Sequence, residues 1–429
     1  MEAKDLYSYF LKSTGVTTDS RKIEEGTLFI CLRGEHFNGN RFAEEALEKG
    51  ASYVVVDDSD YFKEDKRYII VENCLKSLQT LAHHHRMQFS IPVIGLTGSN
   101  GKTTTKELIN GVLSQQFNTT ATVGNLNNHI GVPLTLLNIN SNTAIALIEM
   151  GANHLKEIEL LAAIAAPTHG YITNFGKAHL EGFGSIEGVV RGKSELYQFL
   201  AKNKGVCLIN SVDPIQVSGT QNQKTFSFGT SDKAAVTIQN IDRGADQNIV
   251  IRTEETEIIS QLKGAYNFTN IAAAIAFGYY FKVPVAKIKK GIKAYNPTNN
   301  RSQWHKTDSN TLVLDAYNAN PSSMKAALES FFRAKKEDHV LILGDMLELG
   351  SFADEEHQKI VDLIETKKVE EVLLIGPEFN KTKTSTSGFK KFNSTASAIP
   401  YLQEKNFQNK TILIKGSRGI ALEVLKDYL

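Results

Sequence analysis

Short apolar runs that end in small, polar or acidic residues recur along the whole chain: YVVVDD at 53–58, RYIIVEN at 67–73, VIGLTG at 93–98, IALIEMGAN at 145–153, GYITN at 170–174, GVCLIN at 205–210, LVLDAYN at 312–318, VLILGDM at 340–346, VLLIGP at 372–377 and ILIKGS at 412–417. Between most of them lie segments with apolar residues at helical spacing. This alternation is the sequence form of parallel α/β sheets, whose ligands sit beyond the carboxyl ends of the strands. A polar or charged residue directly after such a run is therefore a site candidate. At 429 residues the chain is too long for one core, and two or three domains are expected. We divide it at 1–88, 89–298 and 299–429, with the turn-rich Asn296-Pro297-Thr298-Asn299-Asn300 as the second boundary. Val236 to Leu262 alternates apolar and polar residues, which predicts a small antiparallel excursion from the parallel sheet.

The run Ile91–Leu96 leads directly into TGSNGKTTTKE, Thr97 to Glu107, and then into Leu108, Ile109, Val112 and Leu113 at helical spacing. Strand, glycine-rich turn, lysine, hydroxyls and helix form a phosphate-binding loop. Glycines let backbone N–H groups curl around phosphate oxygens, the helix N-terminus adds positive potential, and Lys102 supplies a mobile cation. Thr103 has the hydroxyl that such loops place on Mg²⁺. The first glycine, Gly95, comes one residue early, and Leu96 occupies its place in the strict pattern. The plain alternative is a glycine-rich turn ahead of an ordinary helix. The loop predicts a nucleoside triphosphate ligand.

A net charge of +1 gives no basic excess for nucleic acid or an anionic membrane. Cys31, Cys74 and Cys207 are odd in number and widely spaced, so neither a disulfide framework nor a zinc pattern is expected. The opening MEAKDLYSYFLKSTG has no apolar signal region, and no apolar run reaches a membrane span. The expectation is a soluble, cytoplasmic protein without integral membrane association. His83-His84-His85 reads as a solvated helix end, since adjacent positions fan out around a helix.

Three further residues stand at expected strand ends or on a helix face. Glu149 closes AIALIEM, where a carboxylate can take Mg²⁺ directly or through water, or simply cap a turn. His179 lies in the loop after GYITN, and Ser185 can N-cap the next helix. In that helix Val189, Val190, Leu196 and Tyr197 stand three or four residues from Lys193, which puts Lys193 on the apolar face. Burial lowers a lysine pKa. Either the stem snorkels to solvent, or an acid such as Glu195 pairs with it, or the neutral amine captures CO₂ as a carbamate.

Together these motifs resemble the Mur ligase family of ATP-dependent amide-forming enzymes in peptidoglycan precursor assembly, over essentially the whole chain. The family's loop carries TGxNGKTT, which accounts for Leu96. The resemblance implies ATP contacts by Gly98, Ser99, Asn100, Gly101, Lys102, Thr103 and Thr104. It implies further ATP contacts by Asn267 and Asn270 of the segment Gly264–Asn270, where Tyr266 replaces the usual His, and by Arg301 and Asp315. Two Mg²⁺ ions are implied, held by Thr103, Glu149, His179 and a carbamylated Lys193. Lys102, Lys193, His179 and Arg301 are the implied catalytic residues. Asp19, Ser20 and Arg21, with Asn125, Asn127 and Asn128, are implied for the muramoyl substrate.

The implied architecture is α/β in three domains. These are an N-terminal mixed α/β uridine-nucleotide domain, a central P-loop-type, mostly parallel sheet with helices on both faces, and a C-terminal Rossmann-like domain that binds the amine and closes on ATP. Asp315–Pro321, Gly344–Gly350 and Lys415–Gly419 suggest the branch that joins D-alanyl-D-alanine to UDP-N-acetylmuramoyl-tripeptide, as a monomer. Arg301 and Asp315 are expected to stand apart from the phosphate loop until ligand closes the enzyme. The rivals are another ligase of the superfamily, such as a folylpolyglutamate synthase, which lacks the uridine-nucleotide domain, and a nucleotide-dependent switch, which gives Lys193 no purpose.

Overall fold

The computed structural model describes residues 3–429 apart from 243, 245, 246, 298, 299, 334–337, 368 and 370. The boundary expected at Thr298 and Asn299 lies outside the described residues. Three sheets divide the chain. The first is parallel, in the order β1-β2-β5-β6, from β1 (Val16–Thr17), β2 (Leu28–Ile30), β5 (Tyr53–Val56) and β6 (Tyr68–Ile70), beside a small antiparallel pair, β3 (Arg33–Gly34) and β4 (Phe37–Asn38).

The second sheet has nine strands: β7 (Val93–Thr97), β8 (Thr119–Ala121), β9 (Ile145–Glu149), β10 (His169–Ile172), β11 (Val206–Asn210), β12 (Lys224–Gly229), β13 (Val236–Ile241), β14 (Val250–Thr253) and β15 (Glu257–Ile259). Their order is β15-β14-β13-β12-β11-β10-β7-β9-β8, with β13-β14-β15 antiparallel and the other pairs parallel. The alternation read across Val236–Leu262 is this antiparallel flank. The central strands are buried on both faces, so their side chains alternate between two cores. Ile94 and Leu96 of β7, with Ile145 and Leu147 of β9, pack under the helices Lys102–Leu113 and Phe268–Tyr280. Val93, Ala146 and Ile148 join the opposite core with Leu161, Leu196 and Tyr197. Period-2 alternation thus covers the sheet on both sides.

The third sheet contains β16 (Gln303–Lys306), β17 (Thr311–Asp315), β18 (His339–Gly344), β19 (Glu371–Ile375), β20 (Phe389–Phe392) and β21 (Thr411–Lys415), in the order β16-β17-β21-β18-β19-β20. Only β16 runs antiparallel to its neighbour.

His83 is exposed and His84 half-buried in the last turn of the helix, while His85 departs from the expected solvated end. His85 is 4% exposed; its Nε2 donates to the Ile139 carbonyl at 2.7 Å, and its Nδ1 accepts from Tyr7 Oη at 3.2 Å. His83 reaches the Ile164 carbonyl at 3.1 Å, while His84 lies against Gln88. The helix Cys74–Arg86 packs against the helix Ala3–Phe10 of the first domain and the helices Gly131–Leu136 and Glu157–Ala165 of the second. There Arg86 also donates to the Ala165 and Ala166 carbonyls. Among the described residues no helix is long and apolar enough to cross a membrane.

Candidate active site

The phosphate loop leaves β7 and enters the helix Lys102–Leu113 through two glycines that nothing else can replace. Gly98 has φ 141°, and a Cβ there would lie 2.0 Å from Thr173 Oγ1; Gly101 has φ 76°, and its Cβ would lie 2.5 Å from Asn270 Oδ1. The loop is buttressed from β10 and from the helix Phe268–Tyr280. Asn174 Oδ1 accepts from the Asn100 N–H, Thr105 Oγ1 donates to Asn270 Oδ1, and Asn270 Nδ2 donates to Asn267 Oδ1, each at 3.0 Å. Lys102 Nζ turns back onto the Gly98 carbonyl at 2.7 Å. Burial, opposed by Glu149 and reinforced by Arg301, lowers its pKa. An anion laid along the loop supplies the missing counter-charge.

A cavity of about 820 Å³ opens over this loop. Its wall includes Ser99, Asn100, Gly101, Lys102, Thr103, Thr104, Asn125, Asn127, Asn128, Glu149, His179, Asn267, Asn270, Arg301 and Asp315. Gly98 contributes its carbonyl to Lys102. Lys193 lies behind the wall, 0% exposed. Asp19, Ser20 and Arg21 are not in this wall. Arg21 there makes a two-pronged pair with Asp19 at 2.9 Å, which holds the Asp19 carboxyl down at about 2, and the Ser20 carbonyl accepts from Lys49 Nζ at 3.2 Å.

Glu149 is 1% exposed. Its Oε1 accepts from Asn127 Nδ2 at 2.9 Å and Thr103 Oγ1 at 3.2 Å, while its buried Oε2 has no hydrogen-bond partner. An orphaned carboxylate oxygen beside a loop hydroxyl suits a hard divalent cation. Among the described residues no three His, Cys, Asp or Glu side chains converge to hold a metal alone, so a cation here also needs hydroxyl, carbamate or phosphate oxygens.

Ser185 caps the helix Ile186–Lys202 by accepting from the Gly188 N–H. Lys193 does not snorkel, and Glu195 does not pair with it: the Glu195 carboxylate accepts instead from the Lys156 and Glu159 N–H groups at 2.7 and 2.9 Å. Lys193 Nζ donates to the Ala152 carbonyl at 3.0 Å and sits 5.0 Å from the centre of the Phe183 ring. Burial first, then the Lys102 charge, pushes its pKa well below the usual lysine value. That favours a neutral amine.

The expected separation of Arg301 and Asp315 from the loop is not found; both line the cavity with Lys102. The third domain is already seated on the second. Asn320 Nδ2 donates to Asn100 Oδ1 at 2.7 Å, the Lys177 N–H to Ser322 Oγ at 2.8 Å, and Lys177 Nζ to Glu356 Oε1 at 2.7 Å. These contacts cross the boundary between the second and third domains. Asp315 is fixed by sheet register: it pairs with Lys415 across β17 and β21, and Lys415 Nζ reaches its Oδ2 at 2.6 Å. Tyr266, in the place of the family histidine, is half-buried and donates to Ser302 Oγ at 2.9 Å. Arg301 stacks 3.7 Å from the Tyr317 ring centre. Tyr317, Asn174, Asn320 and Lys415 also line the cavity; the sequence places Tyr317, Asn320 and Lys415 in the branch segments but assigns none of the four a role at the site. Asn174 and Lys415 follow or end apolar runs, so the strand-end rule reaches them.

A phosphate loop, a cation-ready carboxylate and a third-domain arginine around one cavity define an ATP-type ligase site on a three-sheet chain. Family models agree: the Mur ligase family catalytic domain matches residues 12–86, the Mur ligase middle domain 96–278, and the Mur ligase glutamate ligase domain 300–418. The chain belongs to the Mur ligase family. It is 36% identical to the UDP-N-acetylmuramoyl-tripeptide–D-alanyl-D-alanine ligase of Bacillus subtilis (strain 168), covering 97% of this chain and 93% of the relative. It is 34% identical to the protein of the same name from Escherichia coli (strain K12), over 95% and 92%. A crystal structure of MurF from Acinetobacter baumannii superposes with a TM-score of 0.87 at 29% identity, covering 99% and 98% of the two chains.

Proposed function

We propose that this protein is an ATP-dependent, ADP-forming amide ligase that joins D-alanyl-D-alanine to UDP-N-acetylmuramoyl-tripeptide in peptidoglycan precursor synthesis. The observation that carries this reading is the convergence of Lys102, Glu149, His179, Arg301, Asn125, Asn127 and Asn128 on one cavity, in a chain alike over nearly its whole length with ligases of that name. The tripeptide carboxylate attacks the γ-phosphorus of ATP. The new O–P bond forms as the β–γ bridging bond breaks, and ADP leaves. The D-alanyl-D-alanine amine then attacks the acyl carbon, inorganic phosphate leaves, and the nitrogen loses a proton.

A carboxylate and a triphosphate repel each other, so cations are needed where they meet. Lys102 and Arg301 supply two of them. Thr103 and Glu149 fit one Mg²⁺, and His179 with Lys193 as its carbamate a second; Mg²⁺ would neutralise charge on the transferring phosphoryl group. Carbamate formation needs the neutral amine that burial gives Lys193: nitrogen bonds to the carbon of CO₂ and a proton is released. Asn267, Asn270 and Asp315 are assigned to the nucleoside. Seating the third domain excludes water from the acyl phosphate, and orienting the amine contributes about 7–11 kcal/mol. Asp19, Ser20 and Arg21, away from the cavity, are assigned to the uridine-nucleotide end of the substrate. The cytoplasm, where ATP is available, is the proposed compartment.

The test is purified protein with ATP, Mg²⁺, UDP-N-acetylmuramoyl-tripeptide and D-alanyl-D-alanine, followed by mass spectrometry. Pentapeptide formed by the wild type and lost in folded Lys102→Ala is the expected result. ATP hydrolysis without pentapeptide would favour a nucleotide-driven switch, and glutamate addition to a folate would favour the other ligase branch.

A further inference from the structure

One carboxylate beside the phosphate loop has no part in the reaction above. Glu348 belongs to the third domain, in the loop that follows β18, and its Oε2 lies 2.5 Å from His179 Nδ1 of the central domain. The contact sets a carboxylate against a buried ring nitrogen that has no aligned hydrogen bond of its own. The His179 contact, foremost, lowers the Glu348 pKa, and Lys102 lowers it further.

The backbone that carries Glu348 is anchored, while its side chain is 49% exposed. Asp345 accepts from the Glu378 and Phe379 N–H groups, both at 2.8 Å. The Met346 N–H donates to His357 Nε2 at 3.0 Å, and the Leu347 N–H to Ser417 Oγ at 2.9 Å. From these anchors the chain enters Glu348 at φ 62°, facing His179 at φ 53°. The Glu348 carbonyl also accepts from the Glu181 N–H at 3.2 Å. Both residues stand in the left-handed region where they meet across the domain boundary.

We propose that Glu348 is a positioning residue through which the third domain completes the cation site. Its carboxylate holds Nδ1 of His179 and leaves Nε2 the lone pair with which an imidazole ligates a divalent cation. A carboxylate on the far ring nitrogen fixes the tautomer and orientation of a metal-binding histidine and raises its basicity. Here that carboxylate comes from another domain, so the site is complete only while the domains are seated together. The proposal rests on His179 as a cation ligand.

The test is a Mn²⁺ titration read by electron paramagnetic resonance, on the full-length protein with a non-hydrolysable ATP analogue. Glu348→Gln and Glu348→Gly should weaken the tighter-held Mn²⁺ by about 10–100-fold, and Glu348→Asp should restore part of the loss. In turnover, kcat should fall with the KM for ATP little changed. Glu348→Gly removes left-handed strain, so it should unfold at a temperature equal to or above that of the wild type while still losing Mn²⁺. Unchanged Mn²⁺ affinity in both variants, or a loss that appears only with a lowered unfolding temperature, overturns the positioning role. His179→Ala separates the two readings: if it binds Mn²⁺ like the wild type, the ligand assignment itself falls. If it weakens binding and the Glu348 variants do not, only the role of Glu348 falls.

Discussion

At the scale of single residues, Lys193 carries the sharpest consequence. Its amine is enclosed, pairs with a carbonyl and not an acid, and has a pKa well below 10.5 in the folded chain. Between that lowered value and 10.5 the unfolded chain binds more protons than the folded one, so stability rises with pH across the interval. Below it the full cost of burying an ammonium stands. In CO₂-free buffer, Lys193→Met should therefore be stabilised relative to wild type most at low pH, with the gain shrinking towards pH 10.5; urea midpoints against pH check this. Turnover should nevertheless collapse in Lys193→Ala, with partial rescue by a short carboxylic acid in the vacated space. An active, unrescued Lys193→Ala enzyme would leave the lysine a structural curiosity. The burial of Lys193 was legible because helical spacing alone places it among Val189, Leu196 and Tyr197. Its carbonyl partner Ala152 was not, since no periodicity links residues 41 positions apart.

Among elements, the phosphate loop was the most legible, because strand, turn and helix are contiguous in sequence. What the sequence conceals is its buttressing. Thr173 and Asn270 press on Gly98 and Gly101 from far along the chain. Gly98→Ala should lower stability by about 1–3 kcal/mol and abolish nucleotide binding, measured by calorimetry. Gly219→Ala is the control: nothing lies within 4 Å of its Cβ, so it should stay within about 0.5 kcal/mol of wild type.

The helix Cys74–Arg86 shows the opposite case. Local sequence left His85 looking solvated, whereas its partners Tyr7 and Ile139 come from two different domains. Burial lowers the pKa of His85 and His357, and takes His169 down to about 4. A histidine kept neutral by folding contributes fully above its unfolded value of 6.5 and loses that contribution as pH falls below it. Denaturant midpoints should drop from about pH 6.5 towards 4, and His85→Phe should flatten the slope. A flat wild-type profile over that range would mean these rings are protonated without cost.

For the whole molecule, the decisive finding is that the third domain is seated over the phosphate loop. Polar contacts cross that boundary beside those of Tyr266 with Ser302 and Lys263 with Trp304. Lys177 is 41% exposed, and its partner Glu356 keeps Lys359 at 3.0 Å when Lys177 is removed, so Lys177→Ala should cost less than about 1 kcal/mol. Asn320→Ala removes a neutral hydrogen bond to Asn100, about 1 kcal/mol, and also the bond its Oδ1 accepts from the Ser323 N–H at the start of the helix Pro321–Arg333. Together they shift the seated-to-open ratio by roughly tenfold, since 1.4 kcal/mol is one decade. X-ray scattering should then show a compact wild type with or without ligand. The double variant should be expanded when free and compact again with an ATP analogue and the nucleotide-peptide. Its KM values should rise, because binding must now also close the domains, while kcat at saturation stays near that of wild type. A double variant as compact as wild type, with unchanged KM, would assign closure to the apolar and stacking contacts around Tyr266, Arg301 and Trp304 instead.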